Sequence, residues 1–247
     1  MERWKVLTLT EGAVAGLLAI QRYRFLTIRQ FAHTAGFSFD HAAELLRRFE
    51  SRGILGHLGH VGIPGQGKTP KVYVLKRKGF ELLKRECDIH PDELGPFVEA
   101  HMEASWSPQM YHRLRLLDLL IALEVQVRTV PRLALVKTLL EYRRTKKRGG
   151  RLARETTDFV ADEETPENRI IPDAALVLEN RETARRALFF LEMDMATERI
   201  TTTLPSEHRT TIRCKIEQYV EGGPISGHLH AMRRRLQPPT VQRPDWL

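Results

Sequence analysis

Three helical patterns follow one another between Thr10 and Gly53 with almost no loop between them, and this feature constrains the chain most. The first runs from about Thr10 to Arg22, with Val14, Leu17, Leu18 and Gln21 at helical spacing and Thr10 placed to cap it. Thr27-Ile28-Arg29-Gln30 opens the second. A threonine followed three residues later by glutamine is a capping box, in which two side chains satisfy backbone N–H groups that a first helical turn leaves over. This helix is expected to end near Ala35, with Gly36 free to adopt a left-handed terminal conformation. Ser38 then caps a third helix, whose Ala42, Leu45, Leu46 and Phe49 share one face, and Gly53 closes it. Two short helices joined by a glycine-containing turn have the spacing of a helix-turn-helix.

The next segment distinguishes a bare helix-turn-helix from a winged one. Ile54-Leu55-Gly56-His57-Leu58 and Lys71-Val72-Tyr73-Val74-Leu75 are short strand-like runs. Between them, Gly59 to Pro70 is rich in glycine and carries Pro64, Lys68 and Pro70, which predicts a β-hairpin with a basic tip, a wing. A further helix, Arg77 to Glu86, is expected to pack Phe80, Leu82 and Leu83 against the body. Away from its apolar stripe the third helix offers His41, Glu44, Arg47 and Arg48, after a first turn of Ser38, Phe39 and Asp40. Such a helix fits the major groove of double-stranded DNA, where arginine pairs with guanine edges or phosphates, while wing lysines reach the backbone. Ser38, His41, Arg47, Arg48, Lys68 and Lys71 are therefore the expected DNA-binding residues. The competing readings are a merely solvated helix face and a protein-binding winged helix. Asp40 and Glu44 on the same face speak against indiscriminate phosphate binding.

The net charge of +8 favours an anionic partner, whether DNA, RNA or an acidic membrane surface. No run of about 18 apolar residues is present to span a bilayer. Glu2, Arg3 and Lys5 are not followed by a signal-type apolar stretch, so a cytoplasmic location is expected, with no membrane partner. Cys87 and Cys214 lie far apart without CxxC spacing and read as reduced thiols.

Prolines 91, 96 and 108 interrupt the helical signal after Asp88 and suggest a linker. A strongly apolar helix follows from Gln109 to Val127, and a second helical stretch from about Leu133 to Tyr142 runs into the basic cluster Arg143 to Arg148, read either as a loop or as a nucleic-acid contact. Ile170 to Leu178 reads as a strand, Glu179 to Thr183 as a turn, and Ala187 to Asp194 as a second strand of buried character. Such a hairpin would bring Asp173 near Glu192 and Asp194. Hard oxygen ligands of this kind suit magnesium, and Lys215, with Tyr219 one turn beyond it, is the candidate cation for handling an attacking water. Caps, salt bridges to the many arginines, or solvated turns account for three carboxylates equally well.

Several of these strings together resemble the replication-relaxation family. They are Tyr23-Arg24-Phe25-Leu26-Thr27, Val72 to Leu75 with Lys78-Gly79, and His112 before the Asp118 helix. Pro172-Asp173-Ala174, Phe190 to Asp194 with Thr197-Glu198, and then Lys215 and Tyr219, complete the pattern. The resemblance covers residues 8 to 221. It implies a bacterial accessory DNA-binding protein of a plasmid or other mobile element, acting in replication, relaxation of supercoiled DNA or mobilisation. It also implies a second half similar to the restriction-endonuclease-like fold, with Asp173 and Glu192 as its first two acids and metal ligands and Glu124 as an additional carboxylate. Asp194 stands where that signature has lysine, with Lys215 as a relocated substitute, so a degenerate nuclease fold retained for DNA binding or protein contact is the favoured form.

The expected architecture is thus α+β: a winged helix over residues 1–86, a linker over 87–108, a restriction-endonuclease-like α/β domain over 109–222 and a basic, proline-rich tail over 223–247. The nuclease-like sheet lacks a final apolar strand. The tail holds His228 and His230, read as solvated, and Arg233-Arg234-Arg235, read as part of a disordered tail in preference to a phosphate contact. The expected partners are double-stranded DNA, a relaxase or replication initiator, and a second copy in a homodimer. The alternatives are a magnesium-dependent nicking nuclease using Asp173, Glu192, Asp194 and Lys215, with magnesium as cofactor in that case alone, and a winged-helix transcriptional regulator.

Overall fold

Helix α1 (Glu11–Tyr23) begins where Thr10 accepts a hydrogen bond from the Ala13 N–H at 3.3 Å, and it carries Leu17, Ile20 and Tyr23 into a closed core. This is a computed structural model that describes residues 9–58, 62–63, 67–86, 94–98, 108–146, 152–159 and 169–194. The chain mixes helix and sheet and divides into two compact units, Met1–Ala134 and Leu135–Leu247.

Directly after α1 comes a short strand, β1 (Phe25–Thr27), that helical periodicity alone passes over. Thr27 ends it and caps α2 (Ile28–Ala35) through the expected reciprocal box: its N–H donates to Gln30 Oε1 at 2.9 Å and its Oγ1 accepts the Gln30 N–H at 3.3 Å. Gly36, at φ +70°, terminates α2 in the left-handed conformation that glycine adopts without steric cost. Ser38 caps α3 (Phe39–Ser51), which buries Ala42, Leu46 and Phe49. Strands β2 (Leu55–Leu58) and β5 (Val72–Leu75) pair antiparallel, as the two strand-like runs predict. β1 lies on the other side of β5, giving the sheet order β1-β5-β2. Between β2 and β5, β3 (Gly62–Ile63) and β4 (Gly67–Lys68) pair as a small antiparallel hairpin.

Helix α4 (Arg77–Glu86) returns to the core with Phe80, Leu82 and Leu83 buried. It approaches the start of β2 closely at Gly79. A Cβ there would lie 2.5 Å from the Ile54 carbonyl oxygen, which already accepts from the Lys76 N–H at 3.0 Å.

The segment expected to be a linker is partly tied to this body. Gln21 Nε2 donates to the carbonyls of Leu94 and Pro96 at 3.1 and 3.2 Å, and the Phe97 ring packs on Phe80. Helix α5 (Pro108–Arg128) starts with proline at its first position, where a missing N–H costs nothing. It lies in the first compact unit and does not open the second. Gln30 Nε2 donates to the Leu114 carbonyl at 3.0 Å and to Asp118 Oδ1 at 2.8 Å, fastening α2 to α5. At the far end of α5, Glu124 is buried and accepts from the Tyr23 hydroxyl at 2.8 Å, Arg22 at 2.7 Å and Arg128 at 2.8 Å.

Leu133–Leu140, all but its first two residues in the second unit, is a strand, β6, and not the helix its apolar run suggests. A short run rich in leucine fits either state, and pairing with the sheet decides it. β7 (Arg144–Lys146) pairs antiparallel with β8 (Leu152–Arg154), so Arg144, Thr145 and Lys146 of the basic cluster are ladder and not loop. Arg143 of the cluster pairs with Glu155, and Arg154 on β8 pairs with Glu141. β9 (Asp158–Phe159) pairs with β10 (Arg169–Ile170). Pro172 lacks the N–H a ladder needs, and the expected strand accordingly breaks before β11 (Ala174–Asn180). β11 and β12 (Arg185–Leu191) form the expected hairpin, in register from Ala174↔Leu191 to Asn180↔Arg185, within the order β12-β11-β6. The expected buried character of β12 is not found. Leu188 and Phe190 pack on Leu139 and Ala175, whereas Phe189 is exposed, because successive strand residues point to opposite faces of the sheet and only one face of β12 meets this core.

Two measurements check these supports. Gly79→Ala is expected to destabilise the protein by about 1–3 kcal/mol in urea denaturation, since the added methyl meets a fixed carbonyl. Glu124 is the second case. Burial pushes its carboxyl up, but the charges of Arg22 and Arg128 and the Tyr23 hydrogen bond outweigh burial and hold it below the ordinary 4.5. A depressed carboxylate stabilises the fold fully above its unfolded value and loses that contribution as pH falls through the folded one. Glu124→Gln is therefore expected to be less stable than wild type at pH 7, with the gap closing below pH 4.5 in denaturation midpoints taken across pH.

Candidate nucleic-acid interface

Helix α3 shows why its two faces have different roles. Ala42, Leu46 and Phe49 recur at helical spacing and are buried, which forces Asp40, His41, Glu44, Arg47 and Arg48 outward. All five are exposed. Ser38, also exposed, accepts the His41 N–H at 3.3 Å, so its hydroxyl oxygen serves first as the helix cap. The His41 ring meets Phe37 edge-on, with ring centroids 4.6 Å apart.

One residue that sequence patterns do not single out fixes α3 against the sheet. Glu50, in the last turn of α3, holds Lys71 Nζ at 2.7 Å and His57 Nδ1 on its two carboxylate oxygens. His57 lies on β2, and Lys71 immediately precedes β5. Burial by itself raises the Glu50 carboxyl, but its hydrogen bonds to Lys71 and His57 hold it below the ordinary value. Lys71 also lies over the Tyr73 ring, 5.0 Å from its centroid. Burial raises the Tyr73 hydroxyl, while the positive charges of Lys71 and Arg47 work the other way. Arg47 thus shares an electrostatic neighbourhood with the start of β5, and Lys71, expected as a DNA contact, is engaged within the protein. The signal that would have found the clamp is an acid in the last turn of α3, where a solvated acid is disfavoured by the helix dipole.

Lys68 stands on β4 opposite Gly62, in the small hairpin between β2 and β5. The arrangement therefore combines an exposed helix carrying arginines, ion pairs from that helix to β2 and to the start of β5, and a small hairpin that lies between those two strands in the chain.

The acidic residues of the second unit are arranged differently. Asp173 precedes β11, and Glu192 and Asp194 follow β12, so the hairpin brings them to one end. Asp173 Oδ2 accepts the Met193 N–H at 2.8 Å, and the Asp173 carbonyl accepts the Glu141 N–H at 3.0 Å. Asp173 thereby joins the ends of β12, β11 and β6. Among the described residues no three of His, Cys, Asp and Glu gather into a metal-binding group. Glu124, implied as an additional carboxylate for that site, is instead consumed by Tyr23, Arg22 and Arg128 within the first unit. Lys215, Tyr219, Thr197, Glu198, both cysteines and the tail residues lie outside the described residues. Among the described residues, no helix is long and apolar enough to cross a membrane.

The Glu50 clamp is testable by a double-mutant cycle. Glu50→Ala and Lys71→Met are expected to couple by about 0.5–1.5 kcal/mol in urea denaturation, the range of a partly exposed charge-assisted hydrogen bond. A coupling indistinguishable from zero would show that the pair does not hold α3 to β5.

The family model described as Replication-relaxation matches residues 17–222. No curated protein and no solved structure matches the chain. Most of the sequence falls within the matched span, including the α3 region, the Pro172-Asp173-Ala174 string and the acids after β12, and the chain belongs to the replication-relaxation family.

Proposed function

We propose that the first unit contains a winged helix-turn-helix that binds double-stranded DNA, with α3 in the major groove and the β3–β4 hairpin as its wing. The observation that carries this reading is the outward surface of α3: Arg47 and Arg48 are exposed on a helix whose opposite face is buried and whose last turn is fastened to the sheet. A helix held this way presents its charges at fixed spacing, which phosphate recognition requires. The net charge of +8 supports it by drawing the protein to a polyanion.

Set beside the family, whose description joins replication and relaxation, this reading makes the protein an accessory DNA-binding factor of replication, DNA relaxation or mobilisation on a plasmid or mobile element. A relaxase or replication initiator is the proposed protein partner. The second unit is proposed to be a restriction-endonuclease-like domain retained without catalysis. In favour of this is Asp173, whose Oδ2 and carbonyl oxygen both take part in joining strand ends, and Asp194 at the position where the nuclease signature has lysine.

Fluorescence anisotropy with a labelled duplex across a salt series tests the interface. Wild type is expected to bind with a steep negative slope of log K against log salt. Arg47→Ala/Arg48→Ala is expected to weaken binding at least about ten-fold at low salt and to flatten the slope by about 0.9 for each phosphate that is no longer neutralised. Unchanged affinity and slope in the double variant would place the DNA surface elsewhere. Incubation of supercoiled plasmid with the protein and magnesium is expected to leave the plasmid unnicked. Nicking that disappears in Asp173→Ala would overturn the non-catalytic reading of the second unit.

A further inference from the structure

Phe39 opens α3 with 54% of its surface exposed, while the apolar stripe that seats this helix, Ala42, Leu46 and Phe49, is complete without it. Its neighbour Phe37 is partly buried and already packs on His41. Phe39 continues the spacing of that stripe into the first turn, where the fold covers only about half of its ring and leaves the rest open to a partner.

The exposed surface of α3 is also polarised along its length. Phe39, Asp40, His41 and Glu44 occupy the first half, whereas Arg47, Arg48 and then Arg52 occupy the end. Phosphates are attracted to the second half and repelled by the carboxylates of the first. A duplex lying against α3 consequently meets the first half with base edges and the second with its backbone. Phe39, Ala43 and Arg47 are spaced four residues apart and so form one stripe. Ala43 is small enough to leave the approach to the Phe39 ring open. Glu50, eleven residues after Phe39, turns the same side of the helix toward β2 and β5.

In the major groove the one apolar group on a base edge is the 5-methyl of thymine. An exposed ring with Asp40 beside it complements that methyl, and the carboxylate disfavours phosphate there. We propose that Phe39 is a specificity-determining residue that packs against a thymine 5-methyl group in the major groove. The proposal rests on the DNA-binding reading above and adds what the helix reads.

The test uses the full chain. Bound sequences are selected from a random duplex pool with wild type and with Phe39→Ala, and the enriched duplex is then titrated with thymine or deoxyuridine at the position in question. Wild type is expected to enrich a motif containing a thymine for which Phe39→Ala loses preference. Replacing that thymine by deoxyuridine should weaken wild type about three- to five-fold, the value of one buried methyl-sized group, and leave Phe39→Ala unaffected. Phe39→Leu, which keeps an apolar side chain, should retain the preference, and far-UV circular dichroism should show both variants folded. The same motif from wild type and Phe39→Ala, or equal binding of the two duplexes by wild type, overturns the proposal and leaves DNA binding standing. Binding without any enriched motif overturns base reading by this helix. Absence of duplex binding in wild type removes the DNA reading together with the proposal, whereas Phe39 serving a protein partner would appear as unaltered DNA selection.

Discussion

The first unit depends on a single buried amide. Gln30 is 3% exposed, and its side chain does two things at once. Its oxygen accepts the Thr27 N–H and so starts α2, while its nitrogen donates to the Leu114 carbonyl and the Asp118 carboxylate of α5. A buried amide must have both ends satisfied or cost free energy. The residue that begins α2 is therefore also the residue that determines where α5 can lie. Because α2 packs between α1 and α3, fixing its start and its neighbour also fixes the platform from which α3 projects.

Glu124 plays the corresponding part at the other end of α5. Removing a carboxylate from water is unfavourable, and here three donors compensate: the Tyr23 hydroxyl, Arg22 and Arg128. Tyr23 and Arg22 belong to the last turn of α1, so the interaction specifies the alignment of α1 with α5 in a way that leucine-to-leucine packing does not. Apolar packing rewards burial without much regard to direction, whereas this carboxylate accepts only donors placed at its oxygens.

The two units use carboxylates differently from what residue type alone suggests. Glu50 and Glu124 hold elements together, Asp173 ties strand ends through side chain and backbone, and Glu141 and Glu155 engage the arginines beside the β7–β8 pair. Many of the acids in the described residues thus balance arginines and lysines internally. The cations left facing outward on α3, Arg47 and Arg48, are the ones that give the helix surface its character.

Local signals were sufficient wherever the physics is local. The Thr27–Gln30 box, the left-handed Gly36, the Ser38 cap and the β11–β12 hairpin follow from interactions between residues a few positions apart, and each is legible in the chain itself. The exposure of Arg47 and Arg48 follows from the burial period of their own helix. The family, too, was legible, because its motifs are strings. What only the tertiary structure decided involves partners distant in sequence. That Leu133–Leu140 is a strand depends on a sheet built from residues much further along, since its apolar run suits either state. That Gln30 holds α5, that Lys71 belongs to Glu50, and that Glu124 belongs to Tyr23 and Arg22 are pairings no spacing rule reaches. A side chain's chemistry is written in the sequence, but which partner it meets depends on the folded geometry.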